Sequence, residues 1–391
     1  MADQQFIISV YKKYSALIGT ILAQFALGSF YTWSLFNHSL AIKLDVPLYK
    51  VTLTFGLACF MLAVCSSLAG IIQEKIGVKW AILIAACLMF MGLYLTSKAN
   101  SLMEVYIGIG GLVGIAEGTI YLMILTNCVK LFPNHKGVIS SLSVGAYGLG
   151  GFVFKYINHW LLMSQGLSVA LMLWGGIVFL CLLISASLII NVKLEQTKNN
   201  YSIRNVLSNS VYWQFALIFL ITSISGIYLI GAVKDIGEQL AQLTLTQAAN
   251  AVAILTFSNL CGRLVIGSLS DKIGTLMALR LCQILLLMGV ASMCYPTLTI
   301  SIFYASVIMI AFGFGGTIAV YPALISDFYG LRGVTKNYGF IYLGFGIGGL
   351  VSNMISMISP GFYQTLLVLL SIVLISTLLT YRIKNKHYEI V

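Results

Sequence analysis

Apolar runs of about twenty residues follow one another along almost the entire chain, and only short polar segments separate them. A helix that spans a bilayer needs about 20 consecutive apolar residues, so this pattern predicts a series of transmembrane helices. The composition agrees, because 59% of the 391 residues are apolar and only 8% are charged, against roughly 25% in soluble domains. The chain is therefore predicted to be an all-α integral membrane protein.

Twelve transmembrane helices are predicted from the apolar runs and the polar or Gly/Pro breaks between them. They cover residues 15–37, 50–72, 80–97, 103–130, 138–162, 167–191, 212–233, 246–270, 275–295, 298–326, 335–357 and 361–381. An even number of spans places both termini on one side of the membrane.

The distribution of Lys and Arg predicts that both termini are cytoplasmic, because cytoplasmic loops carry an excess of these residues. With this orientation the inner segments hold Lys12, Lys13, Lys75, Lys79, Lys130, Lys136, Lys193, Lys198, Arg204, Lys272, Arg332, Lys336, Arg382, Lys384 and Lys386. The outer segments hold only Lys43, Lys50, Lys98 and Lys234.

An internal repeat divides the chain into two halves of six spans. Residues 70–77 (G-I-I-Q-E-K-I-G) match residues 267–274 (G-S-L-S-D-K-I-G), and residues 147–155 match 345–353 at nearly the same offset. We expect two pseudo-symmetric six-helix bundles, at 1–190 and 212–391 with a short cytoplasmic tail, joined by a cytoplasmic linker at 191–211. Transporters built in this way rock one half against the other around a substrate site near the membrane midplane.

Several other classes of protein do not fit the sequence. The formal charge of +11 is scattered between apolar runs, whereas nucleic-acid binding needs a clustered basic face. The eight cysteines form no C-x-x-C pair and have no histidine at zinc-ligand spacing. Without a catalytic triad, metal site or nucleotide-binding loop, we expect neither an enzyme nor a bound metal or cofactor.

The repeated G-x-x-x-[D/E]-K-x-G pattern resembles the loop motif of the major facilitator superfamily. The resemblance implies a short cytoplasmic turn that takes part in gating through ion pairs, with a plain solvated turn as the alternative. The residues concerned are Gly70, Glu74, Lys75 and Gly77 in the first copy, and Gly267, Asp271, Lys272 and Gly274 in the second.

A narrower resemblance covers nearly the whole chain. The matching segments are 31–33, 130–137, 146–150, 270–274 and 336–339, and they are similar to the oxalate/formate antiporter family, whose members move small carboxylates. The run Q-F-A-L-G-S-F-Y-T-W-S-L-F-N at 24–37 resembles most closely a subgroup of predicted pyruvate-responsive transporters of enteric bacteria. The resemblance implies a location in the bacterial inner membrane.

Arg263 lies eight residues before Asp271, about 12 Å into the predicted eighth span at 1.5 Å per residue. An uncompensated arginine at such depth costs at least about 2.5 to 3.5 kcal/mol, so it must face a wet cavity, a carboxylate or an anion. The resemblance implies that it binds substrate, and its planar fork suits a carboxylate. A purely structural ion pair is the alternative.

The family resemblance also identifies neighbours of this arginine. Tyr31, Tyr147, Tyr342 and Phe314 fall at positions that line the substrate cavity of the family. Phe345 occupies the place of a lysine that, together with the arginine, binds the dianion oxalate in that family. This departure favours a monocarboxylate, because one desolvated cation best balances one negative charge.

Glu117 lies thirteen residues before Lys130, which is about 20 Å into the fourth span. A carboxyl group at such depth is either paired with a cation or protonated, and we expect it to couple transport to a proton, with Arg263 as its counter-ion when substrate is absent. A static pair between the two residues is the alternative. Lys155 is predicted near the outer interface, as a cation of the outer cavity or a side chain that snorkels.

The sequence therefore predicts a monomeric secondary transporter of a small organic anion, namely a pyruvate-like monocarboxylate moved with a proton. Exchange of one carboxylate for another remains open, as does efflux of another small organic compound that uses Glu117 as a cation site. A non-transporting receptor of the same fold is disfavoured, since the connecting loop and tail are short.

Overall fold

The computed structural model describes residues 10–192, 206–331, 333–358 and 361–384. Within these residues the chain is helical and contains no β-strand. The helices are α1 (Val10–Gly28), α2 (Asn37–Leu44), α3 (Leu48–Lys98), α4 (Leu102–Val105), α5 (Gly114–Leu131), α6 (Lys136–Leu188), α7 (Ser210–Leu240), α8 (Leu245–Ile273), α9 (Thr275–Met293), α10 (Ile300–Tyr329), α11 (Val334–Ile358) and α12 (Phe362–Arg382). Ser29–Leu35 winds as a 3₁₀-helix after α1, and Tyr106–Val113 winds as a π-helix before α5. The prediction of an all-α protein is confirmed.

Two of the long helices are interrupted by a glycine. The backbone leaves the helical conformation at Gly77 in α3 and at Gly166 in α6. Nine helical stretches of the described chain are long and apolar enough to cross a membrane. Because two of them are divided by these glycines, and because α11 matches the remaining apolar run, the helices account for all twelve predicted spans. The protein is a multi-pass membrane protein.

The last glycine of each copy of the repeated motif has the same backbone conformation. The φ angle is 78° at Gly77 and 86° at Gly274. Residues with a side chain rarely adopt a positive φ, whereas glycine does so without steric cost. Each glycine therefore ends one helix and begins the next within a single residue, as the prediction of a short turn requires.

The described chain divides into two compact units. Unit 1 comprises the described residues of Met1–Pro133 and Ala146–Glu195, and unit 2 comprises those of Asn134–Gly145 and Gln196–Val391. As a result α6 begins in unit 2 and continues into unit 1. The bundle boundaries inferred from the sequence stay predictions, and most of the predicted linker lies outside the described residues.

Some cations used in the orientation argument also lie outside the described residues. They are Lys193, Lys198, Arg204, Arg332 and Lys386.

Glycines at every fourth position allow α5 and the π-helix before it to pack closely against α3. A Cβ added at Gly114 would lie 2.8 Å from the carbonyl oxygen of Ala58, and one at Gly118 would overlap the carbonyl oxygen of Leu62. Small residues permit such close approach of membrane helices. The series of Gly110, Gly114 and Gly118 forms this packing face, and it fixes the helix that carries Glu117.

Replacing Gly118 by alanine is expected to destabilise unit 1. The added methyl group would overlap backbone atoms of α3, and overpacking of this kind costs about 1 to 3 kcal/mol. Thermal unfolding of the purified protein in detergent should show a Tm lowered by several degrees. Gly56→Ala is the matched control, because an added Cβ there meets nothing within 4 Å. Equal Tm values for the two variants would contradict the close packing.

Candidate functional site

Glu117 is completely buried in unit 1, in the first turn of α5. The hydroxyl group of Tyr147 on α6 donates a hydrogen bond to its Oε2 at 3.3 Å. Its Oε1 has no hydrogen-bond partner among the described residues. A charged carboxylate buried with one long neutral hydrogen bond is costly, so these surroundings accommodate the neutral acid more easily.

Two further tyrosines hold the ring of Tyr147. Tyr31 lies in the 3₁₀ segment, and its ring centroid is 5.0 Å from that of Tyr147 at an interplanar angle of 84°. Tyr121 lies one turn after Glu117, and its ring meets the ring of Tyr147 edge-on at 5.1 Å. Edge-to-face pairs at these distances are favourable. The structure therefore brings Tyr31, Tyr147 and Glu117 together and adds Tyr121, which the sequence argument missed although its i+4 spacing from Glu117 was visible.

Close contact between α1 and α6 fixes this tyrosine cluster. A Cβ at Gly28 would overlap the carbonyl oxygen of Tyr147, and one at Gly150 would overlap that of Phe25. Tyr31, three residues after Gly28, is 42% exposed, whereas Tyr147 and Glu117 are buried. Within unit 1, Tyr31 is thus the accessible member of the cluster around Glu117.

Arg263 lies in unit 2, in the second half of α8, and only 3% of its surface is exposed. Its Nη1 donates a hydrogen bond to the carbonyl oxygen of Val144 at 3.1 Å. The side chain is therefore enclosed by protein, and its depth in the membrane stays a prediction. Val144 belongs to the part of α6 that lies in unit 2.

Small residues bring α10 close to α8 around this arginine. A Cβ at Gly262 would overlap the carbonyl oxygen of Phe312, and one at Gly316 would lie 2.9 Å from the Cβ of Ile266. The two helices thus approach each other closely on either side of Arg263.

The predicted aromatic residues of unit 2 are closely packed. Tyr342 and Phe345, both on α11, stack with ring centroids 5.3 Å apart and an interplanar angle of 15°. Phe314 on α10 is buried, and its ring lies so close to Gly226 of α7 that a Cβ there would overlap it. A substrate-binding role for these three residues stays a prediction.

The second copy of the motif caps the start of α6. Asp271 accepts hydrogen bonds from the backbone N–H of Gly137 at 2.7 Å and of Val138 at 2.8 Å. Carboxylates stabilise a helix N-terminus because its first N–H groups lack partners within the helix. Gly267 lies against Ser141 of the same helix so closely that a Cβ would overlap its hydroxyl group.

An ion pair that the sequence argument missed lies beside this cap. Lys136 Nζ is 2.7 Å from Oδ1 of Asp327, and the hydroxyl group of Thr275 donates to Oδ2 at 2.8 Å. The contact joins the start of α6, the start of α9 and the end of α10. Asp327 lies outside the repeated motif, so no pattern in the sequence pointed to it.

The first copy of the motif is arranged differently. Gly70 is buried in α3, and the exposed Glu74 interacts electrostatically with Lys130 at the end of α5. Lys75 and Lys272 are exposed, and neither forms an ion pair with any described residue. The gating roles of the motif residues stay predictions.

Lys155 lies on the part of α6 that belongs to unit 1, and its side chain is exposed. In the part of the chain that the structure describes, it forms no ion pair. Its role as a cation of the outer cavity stays a prediction.

Replacing Asp271 by alanine is expected to lower the stability of unit 2. Two N–H groups at the start of α6 would lose their acceptor, and loss of a helix cap costs about 0.5 to 2 kcal/mol. Thermal unfolding in detergent should show a lower Tm, with Lys272→Ala at the neighbouring position as a control of unchanged Tm. If Asp271→Ala unfolds at the same temperature as the control, the carboxylate does not act as a cap.

The chain resembles known transporters in sequence and in structure. A family model described as Major Facilitator Superfamily matches residues 14–353. The chain is 43% identical over 345 residues to the uncharacterized MFS-type transporter YhjX of Escherichia coli strain K12, with 86% of each chain covered. It is 23% identical over 323 residues to the oxalate:formate antiporter of Oxalobacter formigenes, with 80% of this chain and 76% of that protein covered.

The proton:xylose symporter XylE shares the fold of this chain. The two structures superpose with a TM-score of 0.75 at 13% sequence identity, with 95% of both chains covered. The predicted transporter fold therefore agrees with a solved structure, and the division into bundles at 1–190 and 212–391 stays a prediction. With the family model matching residues 14–353, this chain belongs to the major facilitator superfamily of membrane transporters.

Proposed function

We propose that this transporter is a secondary active carrier of a small monocarboxylate, about the size of pyruvate, which it moves together with a proton. Arg263 binds the substrate carboxylate, and Glu117 carries the proton. The observation that supports this proposal is that each unit buries one ionisable side chain, since Arg263 of unit 2 is 3% exposed and Glu117 of unit 1 is fully buried.

The charge of the substrate follows from the cations available to it. Arg263 is a buried, permanently charged group with a fork that fits a carboxylate. Oxalate carriers have a lysine as a second cation at the position that Phe345 occupies in this chain. Phe345 instead stacks on Tyr342. One arginine balances one negative charge, so a monoanion is favoured. The oxalate:formate antiporter among the relatives supports a small carboxylate as the substrate class.

The proposed coupling uses the hydrogen bond that each of the two groups forms within its own unit. A carboxylate that binds Arg263 competes with the carbonyl oxygen of Val144 for the guanidinium group. The hydroxyl group of Tyr147 can donate to a charged Glu117 or accept from a protonated one, so it serves both protonation states. Because a buried carboxyl group is most easily tolerated when neutral, transfer of the substrate with a protonated Glu117 avoids moving an uncompensated charge.

The site changes its exposure as the two halves of the chain rock. The motif residues from Gly70 to Gly77 and from Gly267 to Gly274 act as gates in this proposal. A bacterial inner-membrane location with both termini in the cytoplasm is supported by the distribution of Lys and Arg. We expect the transporter to work as a monomer.

Exchange of carboxylates without protons is the second candidate. It is favoured by the relative that is an oxalate:formate antiporter. In that mode Arg263 would not release its site empty, because its charge would remain uncompensated.

Uptake into proteoliposomes distinguishes the two modes. With an alkaline interior and no internal substrate, a proton symporter accumulates a labelled monocarboxylate above its external concentration, and a protonophore abolishes the accumulation. An exchanger takes up label only when the vesicles contain unlabelled carboxylate. Absence of carboxylate uptake under both conditions would overturn the proposed function.

A further inference from the structure

The π-helix Tyr106–Val113, here called the π segment, ends four residues before Glu117 in the same membrane span. We propose that the π segment is a hinge about which α5 swings relative to α4 during transport, and that Gly111 gives this hinge its freedom. The inference rests on the proposed function, because it takes Glu117 as the proton carrier that the hinge moves.

The backbone conformation of the π segment favours bending. π-helices are rare, occur mostly as single turns inside α-helices, and are frequent at functional sites. The π segment covers eight residues and interrupts the span Leu102–Leu131, which has α-helix on both sides of it. Sharp helix bends occur almost always at proline, at pairs of glycine or serine, or at π-bulges. The π segment combines two of these causes, because it contains the pair Gly110 and Gly111.

Contacts with two parts of α3 hold the span on either side of this glycine pair. A Cβ at Gly108 would lie 2.5 Å from Oγ1 of Thr96, in the part of α3 that follows its glycine break. A Cβ at Gly114 would lie 2.8 Å from the carbonyl oxygen of Ala58, in the part of α3 that precedes the break. Any relative movement of these two parts of α3 therefore has to be taken up between the two contacts.

Gly111 is the glycine in this stretch that packing does not explain. A Cβ built there meets only the carbonyl oxygen of Tyr106, at the ordinary contact distance of 3.8 Å. The other glycines of the span would each place a Cβ within 3.2 Å of an atom of α3, and they are Gly108, Gly110, Gly114 and Gly118. Glycine lowers helix stability because its backbone is free to adopt other conformations. A glycine without a packing role is therefore suited to bending.

The hinge acts on Glu117 because this residue lies in the first turn of α5. The hydrogen bond from Tyr147 to its Oε2 is 3.3 Å long, beyond the usual 2.5 to 3.0 Å range of about such O–H···O bonds. Its Oε1 has no partner among the described residues. A swing of α5 thus has one long hydrogen bond of this carboxyl group to break, and it changes the access of water to Glu117.

Replacing Gly111 by alanine tests the hinge in proteoliposomes of the full chain. Alanine favours the α-helix over glycine, and its methyl group has room, so the Tm should equal or exceed that of the wild type. The kcat of proton-driven uptake of labelled pyruvate should fall about fivefold, the factor to which the difference in helix propensity corresponds. Gly176→Ala is the matched control, because a Cβ there meets nothing within 4 Å in α6 of the same unit. It should leave the kcat unchanged.

Hydrogen–deuterium exchange of the purified protein measures the hinge without transport. We expect the wild-type amides of residues 108–113 to exchange at least about fivefold faster than those of residues 118–131, and Gly111→Ala to remove the difference. Exchange as slow in the π segment as in α5 overturns the hinge, and so does a folded Gly111→Ala variant with the wild-type kcat. A lowered Tm of Gly111→Ala would show a packing role and overturn the assignment of Gly111. If the wild type takes up no carboxylate, the proposed function fails, while the exchange measurement still decides on the hinge.

Discussion

Replacing Glu117 by glutamine is expected to abolish accumulation of the monocarboxylate while leaving exchange intact. The amide keeps the shape of the protonated acid and a group that can bond to the hydroxyl of Tyr147, but it cannot release or take up a proton. A pH difference of one unit supplies about 1.36 kcal/mol, which allows roughly tenfold accumulation by one-to-one symport. In the variant the internal concentration should not exceed the external one.

The measurement is uptake into proteoliposomes with an imposed pH gradient, followed by counterflow with preloaded substrate. Glu104→Gln is the control, because Glu104 of the same unit accepts a hydrogen bond from the backbone N–H of Asn100, glutamine keeps an acceptor there, and accumulation should be unchanged. Full accumulation by Glu117→Gln would reject Glu117 as the proton carrier. A variant without either activity would show that the neutral residue does not support transport at all, which also contradicts the proposal.

Replacing Arg263 by glutamine is expected to reduce kcat/KM for the carboxylate by at least about a hundredfold. Charge-assisted hydrogen bonds contribute about 1.5 to 3 kcal/mol each, so loss of a two-pronged contact accounts for a decrease of this size or larger. Arg263→Lys keeps the charge and loses the fork, and it should fall between the wild type and Arg263→Gln.

Arg280→Gln is the matched control for this substitution. Arg280 is an arginine of the same unit, and its guanidinium group donates to the carbonyl oxygens of Thr380 and Ile383 at the end of α12. The Arg280→Gln substitution should lower the Tm of the protein and leave the KM for the carboxylate unchanged. If Arg263→Gln also keeps its KM and loses only thermal stability, the arginine is a structural residue and the alternative of an intramembrane structural contact is correct.

The membrane spans were predictable because each depends on local sequence alone. A run of apolar residues long enough to cross the bilayer forms a helix whatever its neighbours are. Gly77 and Gly274 were predictable as turn residues for the same reason, since a positive φ is a property of one residue. Counting residues along the helices places Arg263 and Glu117 within apolar runs, and both side chains are buried, while their depth in the membrane stays a prediction.

The partners of these groups could not be predicted, because they depend on how helices distant in sequence pack. Nothing in the sequence pairs Tyr147 with Glu117 or Arg263 with the carbonyl oxygen of Val144. Asp327 forms an ion pair with Lys136, although 191 residues separate them in the sequence. Each residue lies near a helix end, where charged side chains are common, so neither one indicates its partner. The grouping of the first residues of α6 with unit 2 is likewise a property of packing.

Isothermal titration of the purified protein with small monocarboxylates is the most direct test of the claim that Arg263 binds the substrate. We expect lactate to bind the wild type and Glu117→Gln, and the affinity of Arg263→Gln to be at least about a hundredfold lower. Small amines of similar size should not bind. Unchanged carboxylate affinity in Arg263→Gln, or binding of the amines in place of the acids, would contradict the account.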